Sequence, residues 1–237
     1  MTPPLSAWGL TGAPVPLPGG HRNTVLRVGD HVVKTTRRSE AAVTWLLPVM
    51  EALTAYGLVA PRPIRSGNGR LVVEGWTCEP FVDGVPCATV SLRPNWPRLP
   101  KSLGQRPGFA AAQALQFTPR GGDIDLTTMP PPLVRAVRAA WSALPRAAPC
   151  VVHGDLNRSN LIQTTKGIAV IDWDEARLDH PGFDHVALGQ ATSAEVRAAQ
   201  AWEIACCWQL EPERARELAR RFVRDARRPT KMRAPSC

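Results

Sequence analysis

Apolar and polar positions along the chain change their period about a third of the way in. Residues 23–28 and 31–36 are apolar-rich runs flanking Gly29-Asp30, a pair suited to a two-residue hairpin turn. After Ser39, a suitable helix cap, Ala42, Trp45, Leu46, Val49 and Leu53 recur at helical spacing. Pro48 lies inside that pattern and is expected to kink or split the helix. Residues 61–65, 71–74 and 77–82 read as further strands, so residues 1–82 predict a small sheet-based lobe with one helix. The stretch 91–132 holds eight prolines, too many for long regular elements. Irregular structure is expected over 85–132, with only 109–117 patterned as a helix.

From there the pattern is mostly helical. Leu133, Val137, Ala140, Trp141 and Leu144 form one apolar face, Val196, Ala199, Trp202, Cys206 and Leu210 a second, and Ala215, Leu218, Ala219, Phe222 and Val223 a third. Two short strands, 161–164 and 168–171, fall between the first two faces. The pattern predicts a β-rich front over 1–82 and a helical back over 83–237.

Composition narrows the class. A chain of 237 residues with 44% hydrophobic and 21% charged residues is ordinary for a globular protein. No apolar run reaches the roughly 18 residues of a membrane span, and residues 1–20 do not pattern as a secretory signal, so no membrane partner is expected. The six cysteines form no CxxC pair and no zinc-type set, which reads as reduced thiols in a cytoplasmic protein.

The net charge of +9 is uneven: residues 1–149 carry +8, 150–213 carry −6 and 214–237 carry +7. An acidic segment between basic ones suits a cation site better than a groove for a phosphate backbone. The basic end has no interleaved aromatic but Phe222, so it reads as a solvated face and no nucleic-acid partner is expected.

The candidate chemistry sits in Val151-Val152-His153-Gly154-Asp155-Leu156-Asn157-Arg158-Ser159-Asn160, followed by Ile168-Ala169-Val170-Ile171-Asp172-Trp173-Asp174. Asp155 and Asn160 share one loop, and a hairpin of the two flanking strands returns Asp172 beside Asn160. A carboxylate with an amide oxygen is a hard-oxygen pair suited to Mg²⁺ whose other positions take phosphate and water. Asp155 stays free to orient a nucleophile, which completes the minimum equipment for phosphoryl transfer. Any one of these residues alone would be read as a turn or helix cap. No Gly-Lys-Ser/Thr occurs, which excludes a P-loop, and five histidines do not supply a metallophosphoesterase set.

HGDLNRSN followed by VIDWDEA resembles the catalytic and metal-binding motifs of the aminoglycoside phosphotransferase-like kinases, small-molecule relatives of the protein kinases. The resemblance implies an α+β, two-lobed protein-kinase-like fold with ATP (or GTP) and Mg²⁺ between the lobes. Asp155 would be the catalytic base, Asn160 and Asp172 the metal ligands, and His153 and Asp184 supports of the loop. LPGGHRNTVLRVGDHVVK is similar to the family's glycine-rich turn and lysine strand, so Gly19, Gly20 and Lys34 would hold nucleotide phosphates, with Glu40 pairing Lys34 from the helix.

Residues 78–84 resemble the segment between the lobes, placing Glu79 and Phe81 where backbone groups meet the adenine. Asn157 departs from the family, which often has His there. The acceptor would be a small-molecule hydroxyl, with Asp174, Glu175 and Glu203 as acceptor contacts, and a neutral or singly cationic compound is favoured over a polycation. An aminoglycoside resistance kinase, and a non-catalytic kinase-fold nucleotide-binding module, are the alternatives; the module would lack the base, the metal ligands or the lysine.

Overall fold

The computed structural model describes residues 2–18, 22–87 and 103–226. Gly19, Gly20 and the tail from 227 lie outside the described residues. Strands β1 (Val15–Pro16), β2 (Val25–Val28), β3 (His31–Thr35) and β4 (Trp76–Pro80) form one antiparallel sheet in that order. The Gly29-Asp30 turn sets the register, with Val28 opposite His31. Val33 and Cys78 face each other across β3 and β4, and with Val28 and Trp76 they form a buried core. Leu5 and Trp8 of the N-terminal 3₁₀ turn pack against it.

The predicted helix is two helices, α1 (Glu40–Thr44) and α2 (Leu46–Ala55), and Ser39 Oγ accepts from Ala42 N–H at 3.2 Å to cap the first. The break falls at Trp45 rather than at Pro48. Pro48 sits in the first turn of α2, where a missing N–H costs no intrahelical bond. Residues 61–65 and 71–74 do not form strands. Pro61 and Pro63 lack donors, so Ile64 makes a single rung to the Cys78 carbonyl at 2.7 Å. Val73 meets Trp76 only as an isolated bridge.

The remaining elements are β5 (Val85–Pro86), β6 (Arg120–Gly121), β7 (Ile124–Asp125), α3 (Pro131–Ser142), β8 (Cys150–Val152), β9 (Leu161–Thr164), β10 (Gly167–Val170), β11 (Arg177–Asp179), α4 (Gly182–His185), α5 (Ser193–Leu210) and α6 (Pro212–Ala226). Strands β10, β9 and β5 make one small sheet, while β11–β8 and β6–β7 pair separately. Gly84 runs so close to β9 that a Cβ there would strike the Gln163 carbonyl oxygen, so only glycine fits where the chain leaves the first sheet. Residues 109–117 hold one 3₁₀ turn, Ala114–Gln116, instead of a helix: the Ala112 N–H is drawn off to the Asp179 carboxylate at 3.1 Å.

Two cores frame the site. In the helical body, α3, α5 and α6 close around Trp141, Phe183, Trp202 and Phe222. Helix α5 is buried on more than the predicted face, including Ala198, Ala201, Ile204, Ala205 and Cys207, because it lies between α3 and α6. The second core joins Val49, Met50 and Leu53 of α2 to Val151, Leu156, Leu161, Val170 and Trp173. Helix α2 therefore forms the floor beneath the His-Gly-Asp loop and its hairpin. Among the described residues no helix is long and apolar enough to cross a membrane.

Candidate active site

Strand β8 delivers His153, Gly154 and Asp155 at its end. The loop is held from below. Asp184 at the start of α4 accepts from His153 N–H at 2.8 Å and Gly154 N–H at 3.0 Å. The His153 ring is fully buried, accepts from Asp155 N–H through Nδ1 at 3.3 Å and so donates from Nε2 to the Ile171 carbonyl at 2.9 Å. One imidazole thus ties Asp155 to the strand end that carries Asp172. Gly154 has φ +83°, and a Cβ there would come within 2.6 Å of the Glu175 carbonyl oxygen, so the site requires glycine twice over.

Asn160 closes the loop: Asn157 Oδ1 caps the short turn, and Asn160 Nδ2 donates to the Asp155 carbonyl at 2.8 Å. That bond leaves Oδ1 as the amide's acceptor atom. Ile171 N–H donates to the Asn160 carbonyl at 3.0 Å, and β9 and β10 pair antiparallel from Leu161 opposite Val170. The hairpin thereby returns Asp172 beside Asn160. These are hard oxygen donors, and they fit a small divalent cation such as Mg²⁺. Partial desolvation pushes the Asp155 carboxyl above the ordinary aspartate range and the Asp172 charge adds to the shift, although Asp155 keeps its solvent access.

Lys34 projects from β3 toward the same place, with Nζ 3.9 Å from Asp172 Oδ1 and 3.1 Å from Glu79 Oε2. Burial opposes its charge, but Glu79 and then Asp172 outweigh that and hold the ammonium above the usual lysine range. Glu40 does not pair with Lys34. Its carboxylate accepts from Leu71 N–H at 2.8 Å and Val72 N–H at 2.9 Å, because 71–72 is not in a strand and needs acceptors. Phe81 N–H donates to the Asp30 carbonyl at 2.8 Å, and its ring lies 3.7 Å beneath the Arg27 guanidinium.

The expected acceptor acids are engaged from within. Arg38, 8% exposed, binds Asp123 through Nη1 at 2.8 Å and Asp174 through Nη2 at 2.9 Å, with Glu175 at 3.3 Å. Arg22 adds contacts to Glu175 at 3.3 Å and Glu211 at 2.8 Å. Burial pushes Glu175 up to about 6 against the pull of Arg38. Glu203 pairs with Arg214 of α6 at 2.6 Å. Sequence reasoning missed Arg22, Arg38 and Arg106, since nothing marks which arginine of an arginine-rich chain is buried.

A short antiparallel sheet facing a helical body, with the His-Gly-Asp loop and its Asp-bearing hairpin between them, defines a two-lobed protein-kinase-like fold. Within that class the chain belongs to the phosphotransferase enzyme family, whose model matches residues 91–230. A viomycin phosphotransferase of Streptomyces vinaceus is 38% identical over 63 residues, which cover 24% of this chain and 22% of that relative. The chain thus matches less than a quarter of that relative's length.

Solved structures share the fold. A choline/ethanolamine kinase family protein from Mesorhizobium loti has TM-score 0.51 at 18% identity, covering 95% of this chain and 92% of its own. Spectinomycin phosphotransferase with ADP and spectinomycin has TM-score 0.52 at 11% identity, with coverages of 95% and 92%. The GDP complex of aminoglycoside 2'-phosphotransferase-IIIa has TM-score 0.53 at 13% identity, covering 91% and 93%.

Proposed function

We propose that this protein is an ATP-dependent kinase that transfers the γ-phosphate to a hydroxyl of a small molecule. The observation that carries it is the meeting of four groups from three segments: the Asp155 carboxylate and the Asn160 amide of one loop, the Asp172 carboxylate after β10 and the Lys34 ammonium of β3. Residues 1–82 would form the nucleotide lobe and 83–237 the lobe carrying the catalytic loop, in a cytoplasmic protein. Asn160 and Asp172 would hold Mg²⁺, which supplies charge neutralisation on the phosphate oxygens when bound. Lys34 binds the nucleotide phosphates. Asp155 accepts the proton of the acceptor hydroxyl as that oxygen bonds to the γ-phosphorus and the bond to the ADP oxygen breaks. GTP would fit the same groups.

The acceptor is favoured as neutral or singly cationic. An open cavity of about 370 Å³ is lined by Arg37, Arg120, Gly122, Asp123, Asp125 and Gln209. Its carboxylates are already paired, Asp123 with Arg38 and Asp125 with Arg120 at 2.8 Å, and a polycationic acceptor would have to displace those guanidinium groups.

The test is a turnover screen of ATP and GTP with Mg²⁺ against hydroxylated metabolites and aminoglycosides, run beside the thermal shift on Mg-ATP. Turnover that disappears in Asp155→Asn while the nucleotide shift survives supports the reading. Asp172→Asn should instead weaken the Mg²⁺-dependent shift itself. No shift at millimolar nucleotide overturns it in favour of a degenerate module.

A further inference from the structure

A lysine that holds phosphates must itself be aimed, and the helix carboxylate expected to aim Lys34 is committed elsewhere. Both Glu40 oxygens accept backbone N–H groups of Leu71 and Val72. Glu79 does reach the lysine: Nζ lies 3.1 Å from Oε2 and 3.2 Å from Oε1. We propose that Glu79, on strand β4, is the positioning residue of the nucleotide lysine. The inference rests on the kinase reading above.

The sheet register produces the contact. Lys34 stands opposite Thr77 and Val32 opposite Glu79, so Lys34 and Glu79 share one face of the β3–β4 pair as diagonal neighbours, within reach of long side chains. The pair is mostly removed from water, with side chains 16% and 13% exposed. A partner lost from such a site leaves an uncompensated charge, so the two groups hold each other in one geometry. Asp172 completes the arrangement at 3.9 Å, so the ammonium lies between a carboxylate of the sheet and the metal-side carboxylate of the hairpin. Glu79 also immediately precedes Pro80 and Phe81, where the chain leaves the sheet for β5. Lysine placement and the path between the lobes therefore share one residue, an arrangement that a glutamate on α1 would not create.

The experiment compares binding of Mg-ATP and of adenosine to wild type, Glu79→Gln, Glu79→Asp, Lys34→Met and the Lys34→Met/Glu79→Gln double variant by calorimetry. Glu79→Gln should lose roughly tenfold or more in ATP affinity, the scale of one charge-assisted hydrogen bond, with adenosine affinity kept. Glu79→Asp should recover part of the loss. In the Lys34→Met background, Glu79→Gln should cost little more, because the group it positions is gone.

ATP affinity in Glu79→Gln equal to or above wild type overturns the proposal. So does an equal loss for adenosine and ATP, which marks a merely structural role, or a full additive loss in the double variant. If Glu79→Gln does not fold, Glu79→Asp and the double variant decide on the same criteria. Wild type failing to bind Mg-ATP would count against the kinase reading itself; a binding wild type with an indifferent Glu79→Gln counts against Glu79 alone.

Discussion

Asp155 carries an electrostatic cost. Its folded-state carboxyl titrates above the ordinary aspartate value of about 3.9, chiefly through desolvation. A carboxyl raised in this way binds its proton more tightly in the folded chain than in the unfolded one. At pH above both values, where both states are ionised, the charged form is therefore disfavoured in the folded chain and subtracts stability. Asp155→Asn should raise the unfolding temperature of the nucleotide-free protein at pH 7, with the difference vanishing below about pH 3 as both forms protonate. Thermal melts of the two proteins across that range are the measurement, and a lower melting point for the variant at pH 7 would contradict the assignment. Asp172 stores strain of another kind: at φ +60° and ψ +63° it takes a left-handed conformation, which costs a non-glycine residue roughly 1 kcal/mol.

Among the elements, the Asp172 loop depends on a residue from the irregular stretch before β6. Arg106 is 1% exposed and donates to four carbonyls, those of Ala42 in α1 at 2.9 Å and of Trp173, Asp174 and Ala176 at 3.1, 2.8 and 3.0 Å. Among the described residues it makes no side-chain ion pair, and burial lowers its guanidinium to about 10. One side chain thus fastens the helix behind β3 to the loop that follows Asp172. Arg106→Met should cost about 2–4 kcal/mol, since it leaves buried carbonyls without donors. Urea unfolding checks this, as a lower midpoint at unchanged slope. The same variant should weaken Mg-ATP binding through the displaced Asp172 loop, read as a smaller thermal shift.

Across the whole molecule, the basic stretch before residue 150 and the acidic middle of the sequence meet each other. Arg22 and Arg38 come from either side of the β2–β3 hairpin and enter a cluster built from Asp123, Asp174, Glu175 and Glu211. A buried pair of this kind contributes modestly when intact, but losing one partner is severe, on the order of 3–5 kcal/mol. Arg38→Met should therefore destabilise strongly at pH 7. The loss should shrink toward pH 5, because Glu175, already pushed up to about 6, takes a proton once its guanidinium partner is gone. Denaturant midpoints at the two pH values measure this; a loss independent of pH would show that packing of Arg38 over Phe109, 4.8 Å from the ring centroid, matters more than its charge.

Legibility follows the range of the forces involved. The β2–β3 hairpin, the Ser39 cap and the Asp155–Asn160–Asp172 grouping were readable because each rests on contacts a few residues apart or on one hairpin that brings its ends together. Local chemistry decides such features, and the types of the residues concerned already contain it. The strands expected at 61–65 and 71–74 and the helix at 109–117 failed because their backbone donors were missing or drawn to partners far along the chain, as Ala112 is to Asp179.

The lysine's partner was beyond reach for a related reason. Glu40 and Glu79 are both carboxylates near the right places, and only the β3–β4 register, set by packing of the whole sheet, puts Glu79 on the face of Lys34. The sequence by itself determined the chemistry available and the lobe-forming patterns. Tertiary structure decided which of 25 arginines are buried and which acids they neutralise, because burial and pairing depend on surfaces that exist only once the chain has folded.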